Sequence, residues 1–345
     1  MVGKGEVETM ETNRIGYWDN VKGILIFLVV LAHYYGTGMV YGTEHTGALL
    51  VPVSIYTFIY LFHMPLFAFI SGYFSKNTEK CRRQAFSQLL LPYLVVNTIC
   101  VLLDRETVNP LFSPYGPMWY PLALFLWRMV AKDVGKLKYS WLWALAFALI
   151  SSVLMPGKNY VSLNDAITFF PCFMLGLETG PETIQKIRKL PHWLCIGVLV
   201  CAMACSAIVL GPLHQSFLNV CFFCRNYVLA PESLIYLGVD ILRYGVAAVM
   251  SVCVLNLVPS RTSFLTRLGK NTLTIMFLHS IPHLRDGLYA LNPLPHNIPF
   301  SMVWWTLWSL LATVLLGSPP VAHGFQRVMD WLRRILPKKA PAVSE

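Results

Sequence analysis

Apolar runs long enough to cross a lipid bilayer recur along almost the whole chain, and this constrains its fold more than any other feature. A helix needs roughly 20 apolar residues to cross the ~30 Å hydrocarbon core. About ten candidate stretches meet or approach that length, at 22–40, 50–74, 86–103, 117–131, 140–156, 165–179, 192–212, 234–258, 271–284 and 299–317. Several are interrupted by Pro or Gly, which membrane helices tolerate when neighbouring helices satisfy the freed backbone groups. Composition agrees: 56% of the residues are hydrophobic and 13% charged, against about 25% charged in a soluble domain. The same values exclude a disordered chain, which requires low hydrophobicity and high net charge. The pattern predicts an all-α fold, a polytopic membrane bundle of about ten transmembrane helices, and one domain over 1–345 without an appended soluble domain. The first twenty residues, with Glu6, Glu8, Glu11 and Arg14, lack the basic-then-apolar order of a cleaved signal peptide.

A net charge of +10 would suit a nucleic-acid binder if the basic residues shared one folded face. They occur instead in short runs between the apolar stretches, which argues against a nucleic-acid partner. With the N-terminus placed in the cytoplasm, 21 Lys and Arg fall on inner segments and 4 on outer ones, with Arg128 and Arg243 inside spans. That asymmetry predicts both termini on the cytoplasmic side, because cytoplasmic loops collect Lys and Arg. The nine cysteines lie mostly within apolar stretches, where Cys behaves as a small hydrophobe. Cys221 and Cys224 form the one close pair, without the second pair or histidines that a zinc site requires. No metal is expected.

Ionisable side chains inside the spans carry the functional signal, since each costs at least ~2.5 kcal/mol at mid-helix for Lys, Arg or Asp. The first span reads WDNVKGILIFLVVLAHYYG over 18–36. Lys22 and His33 are eleven residues apart, about 20° beyond three full turns at ~100° per residue. Asp19 falls on the same face, and the rise puts His33 about 16 Å deeper than Lys22. Taken singly, Asp19 and Lys22 suit interfacial anchors and His33 a buried imidazole bonded to a neighbouring helix. Three aligned on one face instead describe one wall of a polar tunnel. His63 lies in YLFHMPLFAFISGYF, before Pro65 and Ser71-Gly72, and His279 lies nine residues beyond Lys270, about 14 Å in depth. Asp240 and Arg243 are three residues apart and read as mutually neutralising.

An imidazole with a pKa near 6.5 can take the proton from a hydroxyl that attacks an activated acyl group. The chain has no G-x-S-x-G nucleophile motif, so direct transfer is simpler than a covalent route. The rival use of the same stripe is proton relay in a secondary transporter or exporter.

At these residues the sequence resembles the acyltransferase-3 family of integral membrane acyltransferases, in its fucose 4-O-acetylase-like branch. That family places a basic residue, ten intervening residues and an essential His in its first span, here Lys22 and His33, with Lys where Arg is common. FHMPLFAFISGYF (62–74), LLLPYLVVN (89–97), PMWYPLALFLWR (117–128) and GKNTLTIMFLHS (269–280) follow in the family's order. The resemblance implies O-acyl transfer, usually acetyl, from cytoplasmic acetyl-CoA or another acyl-CoA to a carbohydrate or glycolipid hydroxyl. It implies His33 as general base, with Lys22 and Asp19 ordering the inner end of the tunnel. Arg82, Arg83 and Arg128 are the expected contacts for the CoA phosphates. His63, Ser71, Trp119 and His279 are expected along the substrate path, and the cell membrane is the expected location.

Overall fold

The structure, a computed structural model, describes residues 4–40, 50–104, 113–154, 162–210, 233–281, 291, 292, 294 and 296–335. The described residues are almost all helical, with no strand among them. The helices are α1 (Lys4–Tyr35), α2 (Leu50–Tyr60), α3 (His63–Tyr73), α4 (Thr78–Ala85) and α5 (Leu91–Leu103). They continue with α6 (Trp119–Val134), α7 (Ser140–Leu154), α8 (Leu163–Glu178), α9 (Pro181–Arg188) and α10 (His192–Cys205). The chain then forms α11 (Ser233–Leu257), α12 (Phe264–Lys270), α13 (Thr272–Leu278), α14 (Ile298–Leu316) and α15 (Pro319–Ile335). Five stretches are long and apolar enough to cross a membrane: Gly16–Val40, Leu50–Tyr73, Thr78–Leu103, Leu237–Leu257 and Ile298–Leu316. A sixth is α9 with α10 if that pair, bent by 85°, forms one crossing. The chain is an integral membrane protein. The other expected stretches lie on shorter helices: α6 and α8 have 16 residues each and α7 has 15. The expected helix at 271–284 is limited to the seven residues of α13 among those described.

Local sequence accounts for the breaks. Pro65 has no N–H for the Leu61 carbonyl, and the chain turns at Leu61 and Phe62 between α2 and α3. Pro92 likewise leaves the Gln88 carbonyl without its donor, and α4 enters α5 through a π-helical turn at Phe86–Leu90. The widened turn presents the Ser87 carbonyl outward, where it accepts from Arg333 Nη2 at 2.6 Å and Nε at 3.2 Å. That bond and the stacking of Phe325 on Phe277 dock α15. Val328, Trp331 and Ile335 stay exposed along α15, an apolar stripe typical of a helix lying in the membrane interface.

Two glycine crossings set the bundle's geometry. Within lipid, helix association rests on close backbone approach through small residues. At the α3–α8 crossing, a Cβ on Gly72 would overlap the Phe173 carbonyl and one on Gly176 the Phe69 carbonyl. At the α1–α12 crossing, Gly23 faces the Leu265 carbonyl and Gly269 that of Asp19.

Asn20, fully buried, locks the second crossing. Its Nδ2 donates to the Pro259 and Arg261 carbonyls, both at 2.8 Å. Its Oδ1 accepts from Ser263 Oγ at 2.9 Å and Thr266 Oγ1 at 2.7 Å. Ser263 also caps α12 in a capping box with Thr266. Asn20→Leu would orphan two carbonyls and two hydroxyls, each costing about 1–3 kcal/mol when buried and unmet. A lowered thermal midpoint in detergent, read by size-exclusion chromatography after heating, is the expected result.

Candidate active site

α1 carries the polar stripe, and its unbroken helical course from Lys4 to Tyr35 keeps Asp19, Lys22 and His33 on one face. Toward the N-terminal end of this stripe Lys22 Nζ lies 2.7 Å from Asp19 Oδ1, the side chains 27% and 8% exposed. The ammonium also sits 5.6 Å from the Phe74 ring centroid, and Trp18 packs on Tyr73 at 4.5 Å. The end of α3 therefore closes over this ion pair. Lys replaces the planar fork of an Arg with a compact point charge, which Asp19 and an aromatic face suffice to hold.

Deeper along α1, Val29, Val30, Ala32 and Tyr34 are buried, whereas His33 is half-buried. Its ring faces that of His279, with centroids 5.5 Å apart and planes inclined by 45°. The two imidazoles come from opposite ends of the sequence at matching depth. His279 is 2% exposed, its Nδ1 lies 2.9 Å from the Ile275 carbonyl, and its Nε2 has no hydrogen-bond partner among the described residues. His63, 1% exposed, meets different groups: Nδ1 lies 2.8 Å from the Ile59 carbonyl, and the ring stands edge-on to Tyr60 at 4.8 Å.

The structure gives the remaining expected residues local roles. Ser71 Oγ lies 2.6 Å from Tyr120 Oη, and that phenol donates to the Phe67 carbonyl at 3.2 Å, tying α3 to α6. Trp119 stacks on Phe169 at 5.2 Å, tying α6 to α8. Arg83 pairs with Glu79 at 3.1 Å, and Arg82 lies 3.6 Å from Asp133. Lys132 and Lys136 share those two carboxylates, so both arginines belong to a charge network joining α4 to α6. Arg128 is different. It is half-buried, its Nη1 donates to Gln88 Oε1 at 3.3 Å, and its Nε has no partner among the described residues. Asp240 and Arg243 are buried and ion-paired, as their spacing predicts. Glu178 accepts from Ser140.

Beside Gly72, Lys76 Nζ donates to the Leu177 carbonyl at 3.0 Å and that of Thr179 at 2.6 Å, closing the end of α8. Partial burial there pulls its pKa below the ordinary lysine value, against the opposing effect of Glu182. An apolar cavity of about 290 Å³ lies between α3, α7, α8, α9 and α11, lined by residues that include Pro65, Pro171, Leu175 and Tyr244. None of the three histidines lines it. Among the described residues no cluster of His, Cys, Asp and Glu suits a metal ion. Cys221 and Cys224 lie outside the described residues.

Sequence reasoning missed Asn20 and Tyr120. An Asn beside Asp19 reads as one more interfacial polar residue, and its partners lie some 240 residues away. Tyr120 reads as part of an aromatic run, with nothing local to announce its hydroxyl's partners on α3.

The site thus belongs to a helical membrane protein whose first apolar span carries the Lys22–Asp19 ion pair and, eleven residues beyond Lys22, an imidazole that faces a second one. The chain belongs to the acyltransferase-3 family: residues 15–322 match it, as an acyltransferase domain. It is similar to nodulation protein NolL of Sinorhizobium fredii, 30% identical over 227 residues, which are 57% of this chain and 59% of the relative. It is also similar to nodulation protein NolL of Mesorhizobium japonicum, 28% identical over 204 residues, covering 52% and 53% of the two chains. The chain thus spans little more than half the length of these relatives. No solved structure matches it.

Proposed function

We propose that this protein is a membrane O-acetyltransferase that moves an acetyl group from cytoplasmic acetyl-CoA to a hydroxyl of a carbohydrate or glycolipid. One observation supports the reading beyond the family match: in the last turn of α1 a half-buried imidazole, His33, lies against a second, His279, with ring centroids 5.5 Å apart. His33 takes the hydroxyl proton as the oxygen attacks the thioester carbonyl carbon. The new C–O bond forms, the C–S bond breaks, and CoA departs toward the cytoplasm. Lys22, ion-paired with Asp19, stands on the same face about 16 Å nearer the inner surface, along the route by which the thioester enters. Ten crossings with both termini inside, a single domain and residence in the cell membrane complete the proposal, supported by the charge asymmetry of the loops.

Arg128 is the preferred contact for a CoA phosphate, because its Nε is unspent whereas Arg82 and Arg83 are already paired. A hydrogen bond to a charged group contributes about 1.5–3 kcal/mol. Arg128→Met is therefore expected to raise the KM for acetyl-CoA by roughly 10- to 100-fold with a smaller change in kcat. Steady-state kinetics at saturating acceptor read this directly.

The function itself is tested with purified protein in lipid nanodiscs, given acetyl-CoA and a panel of glycans while free thiol is followed. CoA release that requires an acceptor, with acetyl recovered on the glycan, is the expected result. Proton-coupled uptake of a solute into vesicles, with no acceptor-dependent thiol release, would overturn the assignment in favour of transport.

A further inference from the structure

His279 is fixed in one tautomer. A carbonyl oxygen only accepts, so the 2.9 Å contact between Nδ1 and the Ile275 carbonyl puts the ring hydrogen on Nδ1. In the neutral ring, Nε2 then carries a bare lone pair. That nitrogen is buried and meets no donor among the described residues, although buried polar side-chain atoms are nearly always satisfied. A buried acceptor left unmet costs about 1–3 kcal/mol, so a hydrogen-bond donor is expected at this nitrogen. The ring of His33 lies beside that of His279, with centroids 5.5 Å apart. Rings at that spacing are close enough for one oxygen atom to hydrogen-bond a nitrogen of each, since an N···O hydrogen bond spans about 2.7–3.2 Å.

We propose that His279 is a second catalytic residue, whose Nε2 joins His33 in forming a two-imidazole base that receives the acceptor hydroxyl between its rings. The inference rests on the acyl-transfer reading above and deepens its proton chemistry. The O–H bond breaks as the oxygen bonds to the thioester carbon. The pair holds that one proton as a shared charge, in the way neighbouring titratable groups act as a unit. When the C–S bond breaks, the proton passes to the departing thiolate, giving neutral CoA thiol and restoring the neutral pair. Atoms and charge balance without a further reactant. The carbonyl of Ile275 steadies the imidazolium through Nδ1–H, the orienting contact that a general base usually has.

The test uses the full chain in nanodiscs with a glycan that supports CoA release by the wild type. In His279→Ala, kcat is expected to fall at least about 100-fold, with the KM for acetyl-CoA within about two-fold of wild type. His279→Gln keeps most of the bulk and a polar end but supplies no base, so an equal loss is expected and guards against misfolding of the alanine variant. Added imidazole should partly restore His279→Ala, whereas pyrazole, a ring of the same size and far lower basicity, should not. His33→Ala combined with His279→Ala should be no slower than the worse single variant, as for residues acting as one unit. Retention of wild-type kcat by His279→Gln, or equal rescue by imidazole and pyrazole, would overturn the proposal and leave His279 a packing residue. Failure of the wild type to release CoA with any glycan is a different outcome: it removes the acyl-transfer reading and this inference with it.

Discussion

Replacing His33 by alanine is expected to lower kcat for acceptor-dependent CoA release by about 10² to 10⁴, the range that a positioned general base contributes. The KM for acetyl-CoA should change little, because in the proposed mechanism the imidazole acts on the hydroxyl proton, and a group engaged only in the transition state appears in kcat. The protein should still fold. His33 is only half-buried, and α1 is held elsewhere by Asn20, by the Gly23–Gly269 crossing and by the bond from Tyr17 Oη to the Leu255 carbonyl at 2.7 Å. Paired measurement of thiol release and size-exclusion profile separates chemistry from folding. A variant that is monodisperse and as fast as wild type would remove His33 as the base, while leaving the family membership untouched.

The second large effect falls on folding. Gly176→Val is expected to abolish recovery of monodisperse protein, and Gly176→Ala to lower its thermal midpoint sharply. The reason is that the atom a Cβ would strike is the Phe69 carbonyl of α3, and Gly72 meets the Phe173 carbonyl reciprocally. A clash with a flexible side chain relaxes by a rotamer change. A clash with backbone forces whole helices apart and breaks the dense packing that holds them. Overpacking costs about 1–3 kcal/mol where side chains can yield, and more is expected here, against a typical total stability of about 5–15 kcal/mol. Separation of α3 from α8 would also displace Ser71 and Trp119, which bridge to α6 and α8. Gly197 and Gly245 supply the contrast, since a Cβ at either meets nothing within 4 Å. Alanine there should be neutral or gain up to about 1 kcal/mol of helix propensity. Thermal melts of the four alanine variants Gly72, Gly176, Gly197 and Gly245 decide the matter; equal midpoints for all four would refute the crossing argument.

How far the site could be read in advance varied with the range of the interactions involved. The stripe of Asp19, Lys22 and His33 follows from helical periodicity within one segment, and the ion pair of Asp240 and Arg243 from a spacing of three. Local geometry fixes such relations, so they survive folding unchanged. The sequence places His279 at a depth comparable to His33, and the resemblance puts it on the substrate path, but its facing of His33 is not visible there, because the two lie near opposite ends of the chain. Arg82, Arg83 and Arg128 are alike as sequence in being cations in or beside an apolar run. Arg83 pairs with Glu79 four residues earlier on the same helix, but only the fold places Asp133 beside Arg82 and Gln88 beside Arg128.

The membrane class, the helical fold and the presence of ionisable groups within long apolar runs were determined by the sequence itself. A bilayer leaves a backbone so few solutions that hydrophobic run length nearly dictates the answer. Which polar groups meet was decided by tertiary structure alone: His33 with His279, Asn20 with the segment before α12, and Tyr120 with α3. Each of these meetings depends on two helices crossing at a particular height and rotation. That placement is set by where glycines let backbones touch, a property of pairs of helices that no single stretch of residues contains.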